Sequence, residues 1–311
     1  MLESAEPRLT RVLRGDPEVW AYIRRRIKFE ICRPFKRTAF WYASGQDLDR
    51  VDRYHLSYRK TAGRREVSTA MFSPSSDAAV VLGVGQSNIA NECDPHGRYE
   101  ARGEVYNFNF FDGRCYTAKD PLLGASVDGS NPLTRLGDVL LDRGMYRRVL
   151  LVPIAHGGTY ARDWAPSGMM FPRLQWALER LKACGIQITH VLWQQGEAEA
   201  RHSDADAQEW MRNFMAVAGA IRAAGVDAPI YVAQCTICCN DPNERIRGAQ
   251  RAVVDKVAGI FAGPDIDTIG RDGRHDGCHL SADGLQRAAA LWCDAIERVG
   301  TGERMRDVVC C

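Results

Sequence analysis

From Ala79 onward the chain alternates short apolar runs with amphipathic stretches of helical period, and this alternation restricts the possible folds more than any other feature. The runs are Ala79 to Gly83, Val149 to Ile154, Ile188 to Trp193, Ile230 to Ala233 and Ile266 to Ile269. Most are rich in Val and Ile and bounded by Gly, Pro or polar residues, so they read as strands buried within a sheet. Between them, Leu133, Leu136, Val139 and Leu140 recur at helical spacing, as do Leu174, Ala177, Leu178 and Leu181. Trp210, Phe214, Val217 and Ile221 make a third stripe, and Leu285, Ala288, Ala289, Trp292 and Ile296 a fourth. Ser203 and Ser281 stand where helix N-caps belong, and Gly144, Gly185 and Gly225 stand near helix ends. Strands in regular alternation with helices require a parallel sheet covered on both faces, an α/β fold. Residues 79–311 are expected to form that domain.

Residues 1–78 do not share the rhythm. A helix is expected over Val19 to Phe29 and short strands at Tyr54 to Tyr58 and Val67 to Phe72, with Ser73 to Asp77 as the joint to the main domain. This extension carries 16 Lys and Arg against 10 Asp and Glu, whereas residues 79–311 carry 25 against 29, so the total of +2 hides a basic segment. Its densest run is Arg24, Arg25, Arg26 and Lys28, which reads as a solvated positive face before it reads as a site for a polyanion or a membrane. No nucleic-acid partner is expected from it. The chain contains no apolar run of about 20 residues, the length that spans a bilayer. The stretch MLESAEPRLTRVLRGD lacks the apolar core of a secretion signal, and the expected compartment is the cytoplasm. Eleven cysteines are many for that compartment. Cys235, Cys238 and Cys239 cluster in CTICC, but a structural zinc site takes four ligands and no second CxxC or HxxxH accompanies them. They are expected to be thiols, and no metal or cofactor is expected.

Four blocks fall at the ends of the expected strands: GQSN around Ser87, HGGT from His156 to Thr159, WQQGE from Trp193 to Glu197, and DGCHLSADG from Asp276 to Gly284. Each alone reads as a turn or a cap. Together they matter, because the carboxyl ends of parallel strands share one rim and open α/β folds place their sites there. A serine hydroxyl is a poor nucleophile until an imidazole takes its proton, and the imidazole needs a carboxylate to fix its tautomer. Asp276 and His279 are three residues apart, so a turn of helix would bring both to one face, leaving Nε2 for Ser87. An oxyanion also needs hydrogen-bond donors, each worth about 2.7–4 kcal/mol of transition-state stabilisation. The Ser87 N–H, a close-packed glycine and the Gln195 amide are the candidates.

GQSN, the GGT loop, WxQGE and a late DxxH followed by HLS and a helix resemble the SGNH (GDSL-type) hydrolases, in particular the sialate O-acetylesterase and family 6 carbohydrate esterase branch. The resemblance covers about Ala79 to Val299. It implies a flavodoxin-like three-layer α/β/α sandwich that hydrolyses acetyl esters on sugars without a metal. Residue by residue it implies Ser87 as nucleophile, Asp276 with His279 as the late dyad, Gln195 as the oxyanion amide, and Gly129 in DGSNPLTRLGDVL as the oxyanion glycine, with Gly124 as the fallback. The branch commonly reads QGESD where this chain reads QGEAEA, so Glu199 stands in place of an aspartate.

Around this centre, Gln86 and Asn88 are expected to shape and cap the turn that presents Ser87, and Glu197 to hold the loop that presents Gln195. His156, Gly157, Gly158 and Thr159 are expected to line the sugar pocket or to form its loop. A second DxxH, Asp272 to His275, overlaps the first. The later pair is preferred because LSADG and an amphipathic helix follow it, which leaves His275 as a loop histidine or a substrate contact. Cys278, between Asp276 and His279, is a rival nucleophile but points away from the face that they share. The same triad would serve an O-acyltransferase, and a non-catalytic carbohydrate-binding protein is the reading from another class. An α/β-hydrolase is disfavoured, because Ile89 stands where a GxSxG elbow needs its second glycine. GVGQSN has no third glycine at dinucleotide-binding spacing, and the chain has no GxxxxGK.

Overall fold

The computed structural model of the chain describes residues 61–74, 77–202 and 206–309, with side chains described as far as residue 300. The basic run at 24–28, the helix expected over Val19 to Phe29, the strand expected at Tyr54 to Tyr58 and the cap expected at Ser203 lie outside the described residues.

The described chain builds an eight-stranded sheet. Its strands are β1 (Glu66–Val67), β2 (Ala78–Gly85), β3 (Val105–Asn109), β4 (Arg114–Thr117), β5 (Arg148–Pro153), β6 (His190–Gln194), β7 (Ile230–Gln234) and β8 (Ile260–Asp265). They lie in the order β1-β4-β3-β5-β2-β6-β7-β8. From β3 to β8 across the sheet every pairing is parallel, while β4 runs antiparallel between β3 and β1. The helices are α1 (Pro132–Asp142), α2 (Ala161–Trp164), α3 (Phe171–Ala183), α4 (Glu197–Ala200), α5 (Ala207–Ala223), α6 (Glu244–Ala252) and α7 (Ala282–Val309).

Alternation along β2 assigns each face its helices. Val80, Leu82 and Val84 join one core cluster with Trp164, Leu174, Trp210 and Ile246 from α2, α3, α5 and α6. Ala79 and Val81 point the other way, into a second cluster with Leu133 and Leu136 of α1 and Leu285 and Trp292 of α7. Successive strand side chains face opposite sides, so a strand apolar at every position requires a layer on each. The three-layer α/β/α arrangement implied by the family resemblance is the observed one. Helix ends also follow the sequence. Asn131 caps α1 with its side chain, Ser281 accepts the Gly284 N–H at the start of α7, and Gly144, Gly185 and Gly225 adopt positive φ just past α1, α3 and α5.

Three expectations are corrected. The strand placed at Ile266 to Ile269 is β8, six residues earlier. Ile266–Thr268 is instead a 3-10 turn capped by the Asp265 carboxylate, and Ile266 and Ile269 fill the α7-side core. Pro264, which argues against a central strand, is at home in β8 because that strand is the sheet edge. The strand placed at Val67 to Phe72 shrinks to Glu66–Val67, followed by a 3-10 turn over Thr69–Phe72. β1 pairs with β4, and Arg64 donates to the Lys119 and Pro121 carbonyls at 2.8 and 2.6 Å. The sheet therefore takes in residues before the boundary expected at 78/79. Finally, β3 is not among the expected strands, because its asparagines hide it. Asn107, fully buried, donates to the Leu123 and Leu151 carbonyls and accepts the Leu123 N–H, a polar residue that the core tolerates because its amide is saturated.

Candidate active site

β2 lies between β5 and β6 at the middle of the sheet, so the residue after it emerges on the carboxyl rim with strands on both sides. The turn is sharp. Gln86 N–H donates back to the Gln194 carbonyl at 3.1 Å, and a Cβ on Gly85 would sit 2.0 Å from that same oxygen, which is why a glycine precedes GQSN's amide. A 3-10 turn over Ser87–Ile89 then opens, and the Ser87 N–H, its first donor, has no partner within the turn.

Asn88 links this turn to the last block. Its Nδ2 donates to the Cys278 carbonyl at 3.1 Å and to Glu197 Oε1 at 3.0 Å, and its Oδ1 accepts the Leu280 N–H at 3.1 Å. One side chain therefore grips the backbone on both sides of His279, which makes Ser87 and His279 neighbours although 192 positions separate Asn88 from Leu280. The helix-capping role expected for Asn88 is replaced by this bridge. Glu197, 1% exposed, supports the bridge instead of the Gln195 loop, and burial pushes its carboxyl up against the pull of the Asn88 amide.

Asp276 and His279 meet as expected, but on a bend and not on a helical turn. Asp276 Oδ1 accepts the Cys278 and His279 N–H groups at 2.9 and 2.7 Å, while Oδ2 holds His279 Nδ1 at 2.7 Å. Gly277 takes φ +76°, the left-handed conformation that lets the carboxylate face its own residues 278 and 279. Burial disfavours the Asp276 anion, yet the hydrogen bond and charge of His279 outweigh it and hold the carboxyl well below the usual range. Nδ1 is thereby fixed, and at Nε2 the contact is the Cys278 sulfur at 3.9 Å, which as half of a disulfide has no proton to give. No hydrogen bond joins Ser87 to the His279 ring among the described residues. The overlapping DxxH is not a dyad, since Asp272 pairs with Arg287 at 2.7 Å. Cys278 is disulfide-bonded to Cys238, which removes it as a nucleophile. The sulfurs of CTICC diverge: Cys235 is buried beside Gln250, Cys238 is in the disulfide and Cys239 is exposed.

Two donors expected for the oxyanion are engaged elsewhere. The Gly129 N–H donates to the Asn91 carbonyl at 2.7 Å. Gln195 is fully buried; its Nε2 serves the Thr159 carbonyl, Gln86 Oε1 and Glu199 Oε2, and its Oε1 accepts Trp210 Nε1 at 2.7 Å. Gln86 completes this layer by accepting the Ala198 N–H at the start of α4, at 3.1 Å. The amides around QGE thus form a buried floor beneath the Ser87 turn. Glu199 belongs to it, accepting the Ala161 N–H at 2.7 Å, and burial pushes its carboxyl up to about 7. Thr159 is likewise floor and not pocket wall: it is fully buried, donating to the His156 carbonyl and accepting Trp164 Nε1. His156 is buried with Nδ1 3.1 Å from the Gly157 carbonyl, Gly157 N–H donates to Ser126 Oγ, and Gly158 is exposed at φ +67°. A cavity of about 330 Å³ is lined by Tyr160, Glu199, His202 and Trp210 among others, but not by Ser87 or His279.

Other residues that build the site were not singled out in the sequence. Arg274, 6% exposed, donates to the Cys278 carbonyl at 2.5 Å and to those of Ile269 and Ile266. Within RDGRHD it reads as one more solvated charge. Asn91 holds the loop after β4 through the Leu122 carbonyl and N–H, at 2.8 and 2.9 Å. The spacing of Asn88 and Asn91 in SNIAN was the available hint.

A central parallel sheet, two helical layers and a rim that gathers a serine beside a carboxylate-held histidine are the features of an α/β ester hydrolase. Residues 77–297 match the family model described as carbohydrate esterase, sialic acid-specific acetylesterase. The chain belongs to that family and is a carboxylic ester hydrolase. A probable carbohydrate esterase of Arabidopsis thaliana is 39% identical over 49 residues, which is 16% of this chain and 19% of that protein. The matched stretch thus spans about a fifth of that curated relative. A crystal structure of an Arabidopsis thaliana protein superposes with a TM-score of 0.59 at 19% identity, over 71% of this chain and 98% of the other. A carbohydrate acetylesterase of Xanthomonas citri gives 0.49 at 15% identity, over 72% and 56%.

Proposed function

We propose that this protein removes O-acetyl groups from a carbohydrate through an acetyl-Ser87 intermediate. Ser87 Oγ attacks the acetyl carbonyl as His279 Nε2 takes its proton, and Asp276 keeps the ring in the required tautomer and stabilises its cation. The oxyanion meets the Ser87 N–H. His279 then gives the proton to the departing sugar oxygen, which leaves as a hydroxyl, and water, activated by the same ring, releases acetate. The observation that carries this reading is the Asn88 bridge, which ties the serine turn to both neighbours of a histidine already gripped by Asp276. Serine–histidine contacts are commonly long before substrate binds and tighten in the complex. Family membership supports the acetylated carbohydrate as substrate class.

The test is hydrolysis of p-nitrophenyl acetate, followed by acetate release from acetylated sialic acids, xylan fragments and bacterial surface polysaccharides. Ser87→Ala is expected to lower kcat by about 10⁵–10⁶-fold, as removal of a triad nucleophile does. Retained turnover in that variant would remove Ser87 from the mechanism.

A further inference from the structure

The bend that carries the dyad holds a third potential ligand. His275, which is exposed, donates its backbone N–H to the His279 carbonyl at 3.0 Å, and the two rings lie side by side, 6.1 Å between centroids and 29° between planes. One ligand atom each from His275, Asp276 and His279 come within 4.8 Å of one another. Two imidazoles and a carboxylate are the ligand set of zinc and its neighbours, and three protein ligands leave a fourth position for water. Zinc–ligand bonds of about 2.0–2.2 Å put tetrahedral ligand atoms roughly 3.4 Å apart. The cluster is wider than that by little more than an ångström, which rotation of the exposed His275 side chain supplies.

We propose that His275, Asp276 and His279 bind a divalent transition-metal ion of the zinc class, and that the bound ion shuts off hydrolysis. The binding claim stands on geometry alone, whereas the inhibitory claim rests on His279 as the base. Either ring nitrogen gives the same result. An ion on Nε2 occupies the lone pair that would take the Ser87 proton. An ion on Nδ1 displaces that nitrogen's proton to Nε2, which then donates instead of accepting. In both cases the metal also draws Asp276 away from orienting the ring. His275 has no part in the hydrolytic steps, so it is the residue that separates metal capture from turnover.

Metal-stripped full-length protein is titrated with zinc chloride by calorimetry, in parallel with p-nitrophenyl acetate turnover. The expected result is one ion per chain and loss of turnover over the same zinc range, reversed by EDTA. His275→Ala is expected to keep basal turnover within about twofold while needing at least tenfold more zinc for both binding and inhibition; His275→Gln guards against a folding artefact of the alanine. Cys239→Ser, which removes the exposed thiol near Asp276, is expected to bind zinc as the parent does. Equal zinc affinity in parent and His275→Ala overturns the site, as does an affinity lost with Cys239 instead. Binding that depends on His275 but leaves turnover intact keeps the metal site and overturns the inhibition. Should basal turnover be absent, calorimetry alone still decides the metal site, so failure of the esterase reading is told apart.

Discussion

Asp276 engages both oxygens within four residues of its own chain, two backbone N–H groups on Oδ1 and the His279 ring on Oδ2. A carboxylate so placed does two jobs at once: it folds the bend and it selects the tautomer. Because its pKa is depressed in the fold, its contribution to stability is complete above the ordinary carboxylate range and fades only as pH falls below it. Asp276→Asn keeps an oxygen for the backbone donors but presents either the wrong atom or a competing N–H to Nδ1. The expected outcome is a kcat on p-nitrophenyl acetate lower by about 10⁴-fold, the cost of losing the tautomer in a comparable triad, and a thermal midpoint that falls at neutral pH because the charge-dependent bond to His279 is lost. Turnover within tenfold of the parent would show that Asp276 does not orient the base.

Asn88 acts between elements. The 3-10 turn after β2 and the bend before α7 are far apart in the chain, and they meet through one amide whose three hydrogen bonds reach Cys278, Leu280 and Glu197. Arg274 holds the same bend from beneath and the Cys238–Cys278 disulfide ties it to the segment after β7. The bend is thus supported from three directions, and loss of Asn88 should loosen it without unfolding the sheet. Asn88→Ala is expected to lower kcat by about 10²-fold, the cost of roughly an ångström of misplacement, with a smaller effect on KM. Stability in urea should fall by about 1–3 kcal/mol, because the Leu280 N–H and Glu197 carboxylate lose their partner in a buried setting. An unchanged kcat would mean that Ser87 and His279 are held together by other contacts.

At the scale of the molecule, the buried floor of amides and acids makes stability depend on pH. Burial raises the Glu199 carboxyl to about 7 against the pull of the Ala161 N–H and the Gln195 amide. The folded protein then holds a proton that the unfolded chain has released. Between the ordinary carboxylate pKa and about pH 7 this group therefore lowers stability as pH rises, and above that range the loss is constant. Glu199→Gln removes the titration, so the difference in thermal midpoint, variant minus parent, is expected to grow from pH 4.5 to pH 7 and then level off. A difference that is flat across this range would show that Glu199 ionises as it does in water.

The sheet order sets what a local reading can and cannot recover. The helical stripes of α1, α3, α5 and α7 and the apolar runs of β2, β5, β6 and β7 were legible because amphipathic period is a property of neighbours in sequence. For the same reason Ser87, Asp276 and His279 could be placed on one rim, since parallel strands end on one side whatever their order. Side-chain partners across the fold carry no such local mark. Gly129 and Gln195 look like free donors in the sequence, and only packing commits them to Asn91, Thr159 and Glu199. Asn107 masks β3 because a buried amide is apolar in effect only once Leu123 and Leu151 saturate it. By itself the sequence determined the layers and the rim, and it pointed to the trio that we propose reacts. The tertiary structure decided which amides are free, which are floor, and that Asn88 is the tie, because hydrogen-bond saturation depends on residues that meet only after the chain has folded.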